Sequence, residues 1–497
     1  MNVFSFLEQT SQRYPQHTAV YSGDQKHLTW SELHERALRL GGYLSELYPK
    51  GSRVVIYSKN CPEYIEVLFA CWAAGLIPAP INAKLHPSEV QSIIEDSEPV
   101  LVVLQNIDDL KDATFPNNLD LLEINSTDYK TALNHTASTP CQTEADNIAW
   151  LFFTSGTTGR SKGAMLSHKN LVAMTVAHLA DFEHLDRQDK ILHAAPMSHG
   201  SGLYILPYTA RAASHIVPKS SGFDPQETLD LCATLDHVGM FLAPTMIQRL
   251  RLHIESKKLA HKGLRHVIYG GGPMYLDEIE SALRTFGPIF SQLYGQGESP
   301  MTITGLRRQD FDGADTATLN SVGWPRTGIE LAIVNNTGQR LSLGEVGEVI
   351  CKGETVMSGY WGNSKATEAT LQDGWLYTGD LGYLDQDGKL TLQGRSKEVI
   401  ISGGSNIYPI EVENALLTHP AVEEAAVVGQ KHDDWGEIVV AFICTAPGVS
   451  LQTDDLDAHC NAQIARFKRP KRYIFIDELP KNPTGKIIKR QLTELLE

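Results

Sequence analysis

The stretch TSGTTGRSKG, from Thr154 to Gly163, constrains this chain more than any other part of its sequence. It directly follows the apolar run AWLFF, which indicates a buried strand that ends in a loop. Its glycines let backbone N–H groups converge, its hydroxyl side chains can donate hydrogen bonds, and Arg160 and Lys162 can neutralise negative charge. A buried strand followed by such a loop predicts a phosphate-binding site in an α/β fold.

The loop departs from the common phosphate-binding pattern G-x-x-x-x-G-K-[ST] at two places. If Gly156 is the first glycine, Ser161 stands where the second is required, and Gly163 stands where Ser or Thr is required. A polar surface turn is the alternative interpretation. Such a turn seldom follows a hydrophobic strand and seldom ends in Arg-Ser-Lys-Gly, so the pattern favours phosphate binding on a different fold.

Length and charge limit the classes of protein that this chain can represent. It has 497 residues, which predicts two or more domains, and a formal net charge of −16, which argues against binding to nucleic acid or an anionic membrane. Its seven cysteines are scattered without a C-x-x-C pair, which argues against a disulfide framework or a zinc site. We expect a reducing, cytoplasmic location, without a signal peptide or a transmembrane segment.

Helical and strand patterns alternate through the first part of the chain, which predicts parallel sheets covered by helices. Thr29 and Ser167 are predicted helix N-caps, and residues 106–146 are interpreted as a connection or a variable edge. From about Leu331, short alternating segments with turns such as DQDG at 385–388 predict β-hairpins.

The predicted fold class is α/β with two domains. A large N-terminal domain, residues 1–393, contains the helix-covered sheets and a β-rich subdomain. A small mobile α+β C-terminal domain, residues 394–497, follows.

The extended stretch FFTSGTTGRSKGAMLSHKNL resembles the signature of the adenylate-forming superfamily, which includes acyl-CoA synthetases, firefly luciferase and adenylation domains of peptide synthetases. That family usually has proline where Ser161 stands. The resemblance implies ATP binding, with the loop on the β- and γ-phosphates, attack at the α-phosphate, and Lys162 on the leaving pyrophosphate. The loop residues that it assigns to the nucleotide are Thr154, Ser155, Gly156, Thr157, Thr158, Gly159 and Lys162.

Two further segments resemble nucleotide-binding motifs of the same family. YGQGES resembles the family pattern Y-G-x-T-E, which implies that Tyr294 stacks on adenine and that Glu298, together with Thr154, binds Mg²⁺. Gly297 replaces the family threonine, so a water or a loop hydroxyl would serve in its place. YGGGPM resembles the strand end that flanks adenine; a core tyrosine and a tight turn are the alternatives. The residues assigned here are Gly270, Gly271, Gly272, Tyr294, Gly295, Gln296 and Gly297.

The segments YTGDLG and GRSKEVIISGG resemble the family's ribose site and domain junction. The resemblance implies that Asp380 and Arg395 bind the ribose and that Lys397 is the hinge of the C-terminal domain. It also implies that Gly403 and Gly404 meet the pantetheine arm of coenzyme A. Taken alone, an aspartate in a turn is usually a capping residue.

LPKNPTGKIIKR resembles the C-terminal family segment that carries the catalytic lysine, which corresponds to Lys486. An ammonium group there stabilises the charge that develops when a carboxylate attacks the α-phosphorus. Nine Lys or Arg residues lie between Arg466 and Arg490, so a solvated lysine in a basic segment is the alternative.

The segment PMSHGSGLY, residues 196–204, resembles the family's acyl-pocket lining and supplies His199 and Gly202 as pocket residues. It contains no acidic side chain to pair an α-ammonium group, which disfavours an amino acid. Gly295 stands where acetate-specific relatives carry Trp, which favours a larger acid, either medium-chain or aryl. His199 is equally compatible with a packed core histidine.

The resemblance therefore implies an ATP-dependent acyl-CoA ligase with an acyl-AMP intermediate and with Mg²⁺ and coenzyme A as partners of the reaction. A stand-alone adenylation enzyme that loads an acyl carrier protein shares every motif. A luciferase-like oxygenase and an inactive binding protein are further alternatives, and a homodimer is compatible with the sequence.

Overall fold

The computed structural model describes residues 1–111, 115–116, 118–154, 161–182, 184–445, 449, 451–482 and 486–496. These residues form a large N-terminal part with helix-covered sheets, a β-rich segment, and a small C-terminal part with its own sheet. The predicted fold class is confirmed.

Strands and helices alternate from the N-terminus to Pro325. The strands are β1 (Thr18–Ser22), β2 (Gln25–Thr29), β3 (Arg53–Tyr57), β4 (Ile77–Ile81), β5 (Leu101–Leu104), β6 (Asp120–Glu123), β7 (Ile148–Thr154), β8 (Lys162–Ser167), β9 (Lys190–Leu192), β10 (Ser214–Val217), β11 (Val238–Leu242), β12 (Leu264–Tyr269), β13 (Phe290–Gln296), β14 (Ser299–Leu306) and β15 (Trp324–Pro325). The helices are α1 (Ser5–Arg13), α2 (Trp30–Leu47), α3 (Pro62–Ala74), α4 (Pro87–Ser97), α5 (Thr127–Leu133), α6 (His168–Asp181), α7 (Gly200–Leu203), α8 (Ile205–Ala210), α9 (Pro225–Leu235), α10 (Pro244–Lys257), α11 (Leu276–Phe286) and α12 (Thr316–Asn320).

The remaining elements belong to the β-rich segment and the C-terminal part. The first contains β16 (Ile329–Val334), β17 (Gly347–Gly353), α13 (Ser364–Thr370), β18 (Leu371–Gln372), β19 (Trp375–Leu384) and β20 (Leu390–Arg395). The second contains β21 (Ile400–Ser402), β22 (Ser405–Ile407), α14 (Pro409–Leu417), β23 (Val422–His432), β24 (Gly436–Thr445), α15 (Thr453–Gln463), β25 (Arg472–Phe475) and α16 (Lys489–Glu494). Short 3₁₀ turns lie at Ile107–Leu110, Arg308–Phe311 and Ser396–Glu398.

One mixed sheet and one parallel sheet form most of the N-terminal part. The larger has nine strands in the order β15-β14-β13-β12-β11-β9-β10-β1-β2, parallel in the centre and antiparallel at both edges. The smaller, β4-β3-β5-β6, is parallel throughout. The segment 106–146, predicted as a connection or an edge, contains α5 and the strand β6 at the edge of the smaller sheet.

Helix boundaries follow local chemistry. The Thr29 hydroxyl accepts from the backbone N–H of Glu32, whose carboxylate accepts from the Thr29 N–H, and this capping box starts α2. Ser167 and Asn170 form the same arrangement at the start of α6. Gly75 ends α3 in the left-handed region, with φ 74°, where a side chain would be strained. Both predicted N-caps are therefore confirmed.

The phosphate-loop stretch joins two paired strands. β7 and β8 are antiparallel, and Thr154 pairs with Lys162 across the ribbon. The sequence predicted a loop that leads directly to α6, whereas β8 lies between them. Residues 155–160, which include the predicted ligands Ser155, Gly156, Thr157, Thr158 and Gly159, lie outside the described residues.

Between β20 and β21 the chain passes from the β-rich sheet to the C-terminal sheet. β20 pairs with β19 and ends at Arg395, whereas β21 starts at Ile400 and belongs to the C-terminal sheet, β22-β21-β24-β23 with β25 on β24. This change lies close to the predicted boundary at residue 394. Among the described residues, none of the helices is long and apolar enough to cross a membrane.

Candidate active site

Glu298 lies at the tip of the β13–β14 hairpin and is buried beside the phosphate-loop ribbon. Its Oε1 atom accepts a hydrogen bond from the Tyr360 hydroxyl at 2.5 Å and from the Thr154 hydroxyl at 3.4 Å. Burial and the Glu298 charge raise the pKa of Tyr360, so its hydroxyl stays a donor at neutral pH. The structure thus brings together the two residues that the sequence assigned to the metal.

The segment Met357–Trp361 links Glu298 to the ribbon. Its first N–H donates to the Glu298 carbonyl at 2.8 Å, and its last N–H donates to the Gly163 carbonyl at 2.8 Å. The Lys162 ammonium lies 4.8 Å from the centre of the Tyr360 ring, within the range of a cation–π interaction. Tyr360 therefore contacts both the predicted metal ligand and the predicted pyrophosphate lysine. Sequence reasoning missed it because nothing in GYWG marks a contact so distant in the chain.

The Glu298–Thr154 pair fits a magnesium ion in its donor chemistry. Mg²⁺ prefers hard oxygen ligands and is usually held by one or two carboxylates together with substrate phosphates. Glu298 supplies a carboxylate and Thr154 a hydroxyl beside the predicted phosphate loop. Across the described ranges, no group of three or more His, Cys, Asp and Glu side chains forms a metal cluster.

Asp380, on β19, is the centre of a second buried cluster. Its Oδ2 atom accepts hydrogen bonds of 2.6 Å from the Tyr294 hydroxyl and from the Gln296 amide. Its Oδ1 atom lies 2.7 Å from the Nε atom of Arg395. Three predicted nucleotide residues from two motifs thus meet on one carboxylate. A carboxylate has about four acceptor positions, so capacity remains for a further donor such as a ribose hydroxyl.

The three glycines at 270–272 differ in their surroundings. A Cβ on Gly270 would lie 2.6 Å from the Leu293 carbonyl oxygen, so glycine is required where β12 packs on β13. Gly271 has φ 80° with open space around its Cβ position, and Gly272 is also open. The segment is therefore a tight turn beside open space, and its place beside adenine stays a prediction.

Gly297 has a steric reason to be glycine. A Cβ there would overlap the Thr154 methyl group and lie 2.7 Å from the Phe152 ring. These two side chains on β7 fill the place where the family threonine would stand. The Thr154 hydroxyl is a loop-edge hydroxyl close to that position, of the kind expected from the sequence to substitute for the missing one.

Two predicted pocket glycines also have packing roles. A Cβ on Gly295 would lie 2.7 Å from the Met301 backbone nitrogen, and a Cβ on Gly202 would overlap the Met197 carbonyl oxygen. At both positions, backbone atoms of a neighbouring segment lie where a side chain would otherwise stand. The geometry gives no support to the inference that Gly295 makes room for a larger acid.

His199 stands edge-to-face against Phe152, with ring centres 5.9 Å apart and an interplanar angle of 77°. Its Nδ1 atom shares a 2.8 Å hydrogen bond with the Ser198 hydroxyl. Burial lowers its pKa to about 4, so the ring is neutral at pH 7. Because Phe152 also contacts the Gly297 position, His199 lies close to the predicted nucleotide side of the site.

Buried polar groups hold the 196–204 segment in place. The Asn60 amide donates to the His193 carbonyl at 2.7 Å, and its oxygen accepts from the Met197 N–H at 2.9 Å. The His193 ring bonds the Ser201 hydroxyl at 2.8 Å and the His215 ring at 3.2 Å. Sequence reasoning missed these supports because they join strands and helices far apart in the chain.

Lys486, in the C-terminal part, is near enough to the Asp380 cluster for the charges of Asp380 and Arg395 to act on its ammonium group. It is exposed as a residue, but its ammonium group lies among protein charges: burial and the Arg395 guanidinium lower its pKa, while Glu398 and Asp380 oppose that shift. The backbone N–H of Lys486 donates to the side-chain oxygen of Asn482 at 2.8 Å. The structure therefore brings this lysine towards the predicted nucleotide site, whereas the preceding residues 483–485 lie outside its description.

The other predicted C-terminal residues lie in the connection and the first hairpin. Lys397 is exposed in the 3₁₀ turn between β20 and β21. Gly403 and Gly404 form the β21–β22 turn with φ 56° and 78°, a conformation that favours glycine. The Gly403 N–H donates to the Trp435 carbonyl at 2.9 Å.

Comparison with known proteins identifies the family. The family model described as AMP-binding enzyme matches residues 7–361, and that described as AMP-binding enzyme C-terminal domain matches residues 411–486. The chain belongs to the AMP-binding enzyme family. It therefore belongs to the adenylate-forming superfamily, and the resemblance stated from the sequence motifs is confirmed.

Members of this family resemble the chain over almost its whole length. A fatty acid–acyl-carrier-protein ligase, ScoC, from Streptomyces coeruleorubidus is 32% identical, with 98% of this chain and 96% of that protein covered. A feruloyl-CoA synthase from Amycolatopsis sp is 33% identical, with 96% of each covered. The solved structure of ATP-bound MatB from Rhodopseudomonas palustris has a TM-score of 0.89 at 29% identity, with 99% and 98% covered. The predicted class, an AMP-forming acid–thiol ligase, is confirmed.

Replacing Gly297 by Thr, the usual residue of the AMP-binding enzyme family, should destabilise this chain by about 1–3 kcal/mol, because the new side chain overlaps Thr154 and Phe152. Thermal unfolding followed by circular dichroism measures the change. Gly222→Thr is the control at a glycine with open space around its Cβ position and no left-handed φ, so it adds the same side chain without a clash. An unchanged unfolding temperature for Gly297→Thr would show that the space is not filled.

The stability of the chain should fall as the pH drops from about 6.5 to about 4. Burial lowers the pKa of His193 to about 3 and the pKa values of His199 and His168 to about 4, whereas unfolded histidines titrate near 6.5. In that window the unfolded chain binds protons that the folded chain does not. Thermal midpoints across this range should fall less steeply for His199→Asn than for His27→Asn, whose histidine is exposed. Equal slopes would contradict the assignment.

Proposed function

We propose that this chain is an ATP-dependent acyl-CoA ligase that activates a medium-chain fatty or aryl acid. The observation that carries the proposal is the Asp380 cluster, where Tyr294, Gln296 and Arg395 meet and whose charges act on Lys486 of the C-terminal part. Gln296, two residues before Glu298, donates to Asp380 and so connects this cluster to the Glu298–Thr154 pair. A cationic group, a ribose acceptor and a metal-binding carboxylate are the groups that an adenylation reaction requires.

In the first half-reaction, a carboxylate oxygen of the acid attacks the α-phosphorus of ATP. The bond between this phosphorus and the bridging oxygen breaks, so pyrophosphate leaves and an acyl-adenylate forms. Lys486 stabilises the negative charge that develops on the phosphate oxygens. Lys162 binds the leaving pyrophosphate, and Glu298 with Thr154 would hold Mg²⁺, which supplies charge neutralisation on the phosphates.

In the second half-reaction, the sulfur of a thiol attacks the carbonyl carbon of the acyl-adenylate. The carbon–oxygen bond to AMP breaks, and the thioester and AMP leave as products. We assign Lys397 as the hinge about which the C-terminal domain rotates between the two steps. This rotation removes Lys486 and brings Gly403 and Gly404 towards the thiol arm, and such a conformational step can limit turnover.

The surroundings of the 196–204 segment support an uncharged acyl group. The segment contains no carboxylate, and His199 is neutral at pH 7 and packs on the apolar Phe152 ring. An α-ammonium group would therefore lack a partner here, and burying it unpaired would be costly. Similarity to a feruloyl-CoA synthase and to a fatty acid ligase agrees with an aryl or aliphatic acid.

Loading of an acyl carrier protein is the second candidate function. It is favoured by one specific observation, the 32% identity to the acyl-carrier-protein ligase ScoC over nearly the whole chain. Both functions share the adenylation step and differ only in the thiol acceptor. We also propose a reducing, cytoplasmic location, which the seven free cysteines support.

The acid and the thiol acceptor are decided by one experiment. Pyrophosphate release is screened over straight-chain, aryl and amino acids with ATP and Mg²⁺, and the best acid is then offered with free CoA or with a holo-acyl carrier protein. We expect release with medium-chain or aryl acids and acyl-CoA as the product, detected by mass spectrometry. Acylation of the carrier protein alone would favour the second candidate, and release with amino acids alone would overturn the acid assignment.

Lys486→Ala should lower acid-dependent pyrophosphate release by about 10²–10³-fold, because the transition state loses its cationic partner. Thioester formation from supplied acyl-adenylate and CoA should stay near the wild-type rate, since the lysine has left the site in that step. Lys257→Ala, at an exposed position at the end of α10, is the control. Equal losses in both half-reactions would contradict the two-conformation mechanism.

A further inference from the structure

A single tyrosine of the N-terminal part donates to a buried carboxylate of the C-terminal part. The hydroxyl of Tyr275, the residue before α11, lies 3.2 Å from the Oε2 atom of Glu413 on α14. Glu413 is only 3% exposed, so its charge depends on protein partners. Burial and the neighbouring Glu413 charge raise the pKa of Tyr275, so its hydroxyl stays protonated.

Glu413 also anchors the chain segment that carries the catalytic lysine. Its Oε1 atom lies 2.7 Å from the ammonium of Lys489 and accepts from the Val427 N–H at 2.9 Å. Lys489 is three residues beyond Lys486 and also pairs with Glu398 at 3.5 Å. The position of Lys486 is therefore connected through Lys489 and Glu413 to Tyr275.

A second acidic side chain lies beside this hydrogen bond, since the Glu278 carboxylate accepts from the Tyr275 backbone N–H at 3.1 Å. Glu278, in the first turn of α11, has a raised pKa because it is buried and because Glu424 of the C-terminal part is close. The Lys481 ammonium lies 2.6 Å from the Glu424 carboxylate. This ion pair balances the charge of Glu424 but not that of Glu278. The start of α11 therefore makes one hydrogen bond to the C-terminal part, through Tyr275, while the charges of Glu278 and Glu424 repel each other across the same boundary.

We propose that Tyr275 is a positioning residue that holds the C-terminal domain in the orientation that places Lys486 at the nucleotide site, and that Glu278 opposes it. The proposal rests on the two half-reactions of the proposed function. When the domain rotates, Glu413 keeps Lys489 and the Val427 N–H and loses only the tyrosine hydroxyl. The Tyr275–Glu413 contact is thus a single hydrogen bond, whose modest net free energy suits a contact that forms and breaks in every turnover.

Two substitutions should shift the equilibrium between the two orientations of the C-terminal domain in opposite directions. Tyr275→Phe removes the hydroxyl, keeps the ring, and should lower acid-dependent pyrophosphate release about 3- to 10-fold, while thioester formation from supplied acyl-adenylate stays unchanged or rises. Glu278→Gln removes the repulsion but keeps an acceptor for the Tyr275 N–H. It should leave the first step unchanged or faster and slow the second about 2- to 3-fold. Tyr14→Phe, at an exposed tyrosine after α1, is the matched control.

A distance measurement tests the contact without any activity. Spin labels at Lys262→Cys and Glu423→Cys, both exposed, report the separation of the two domains in a Cys141→Ala background, because the other six cysteines are buried. Tyr275→Phe should broaden or shift the distance distribution of the protein without ligands, and Glu278→Gln should narrow it.

The outcomes separate this proposal from the proposed function. If no acid is activated by the wild-type chain, the function fails, and the spin-label distances still test the contact. If Tyr275→Phe slows both half-reactions equally, or leaves both the rates and the distances of the wild-type chain unchanged, the positioning role is overturned. A split between the half-reactions together with changed distances supports it.

Discussion

The buried carboxylate of Asp380 is the constraint on which the rest of the site depends. Burying a charge is costly unless it is paired, and Tyr294, Gln296 and Arg395 supply the partners. These bonds fix the end of β13 in the large sheet against β19 and β20 of the β-rich sheet. Because Arg395 is the last residue of β20, they also fix the point from which the C-terminal part departs, and hence the approach of Lys486.

Local sequence chemistry predicted much of this architecture. Thr29 and Ser167 start helices because their hydroxyls cap the first free N–H groups, an interaction that spans only three residues. The alternation of apolar runs predicted the parallel sheets, and the motif residues Glu298, Asp380 and Lys486 were found on separate segments. The family resemblance implied that these three residues serve one site. The atoms that each of them contacts could be identified only from the folded chain.

What the sequence could not predict depends on partners far apart in the chain. Nothing near Tyr360 marks it as the residue that binds Glu298, and nothing near Tyr275 marks its contact with the C-terminal part. Glycine patterns were ambiguous for a related reason. A missing side chain shows that something approaches closely, but at Gly295 and Gly202 the approaching group is backbone rather than a ligand.

The Phe152 ring lies between two predicted parts of the site, the acyl pocket and the nucleotide-binding segment. One side of its ring stands against His199, and the Gly297 position faces the same ring. Substitutions at 199 and 297 are therefore expected to be epistatic through residue 152. A smaller side chain at 152 would make room for a Cβ at 297 on that side and would at the same time remove the ring that packs against His199.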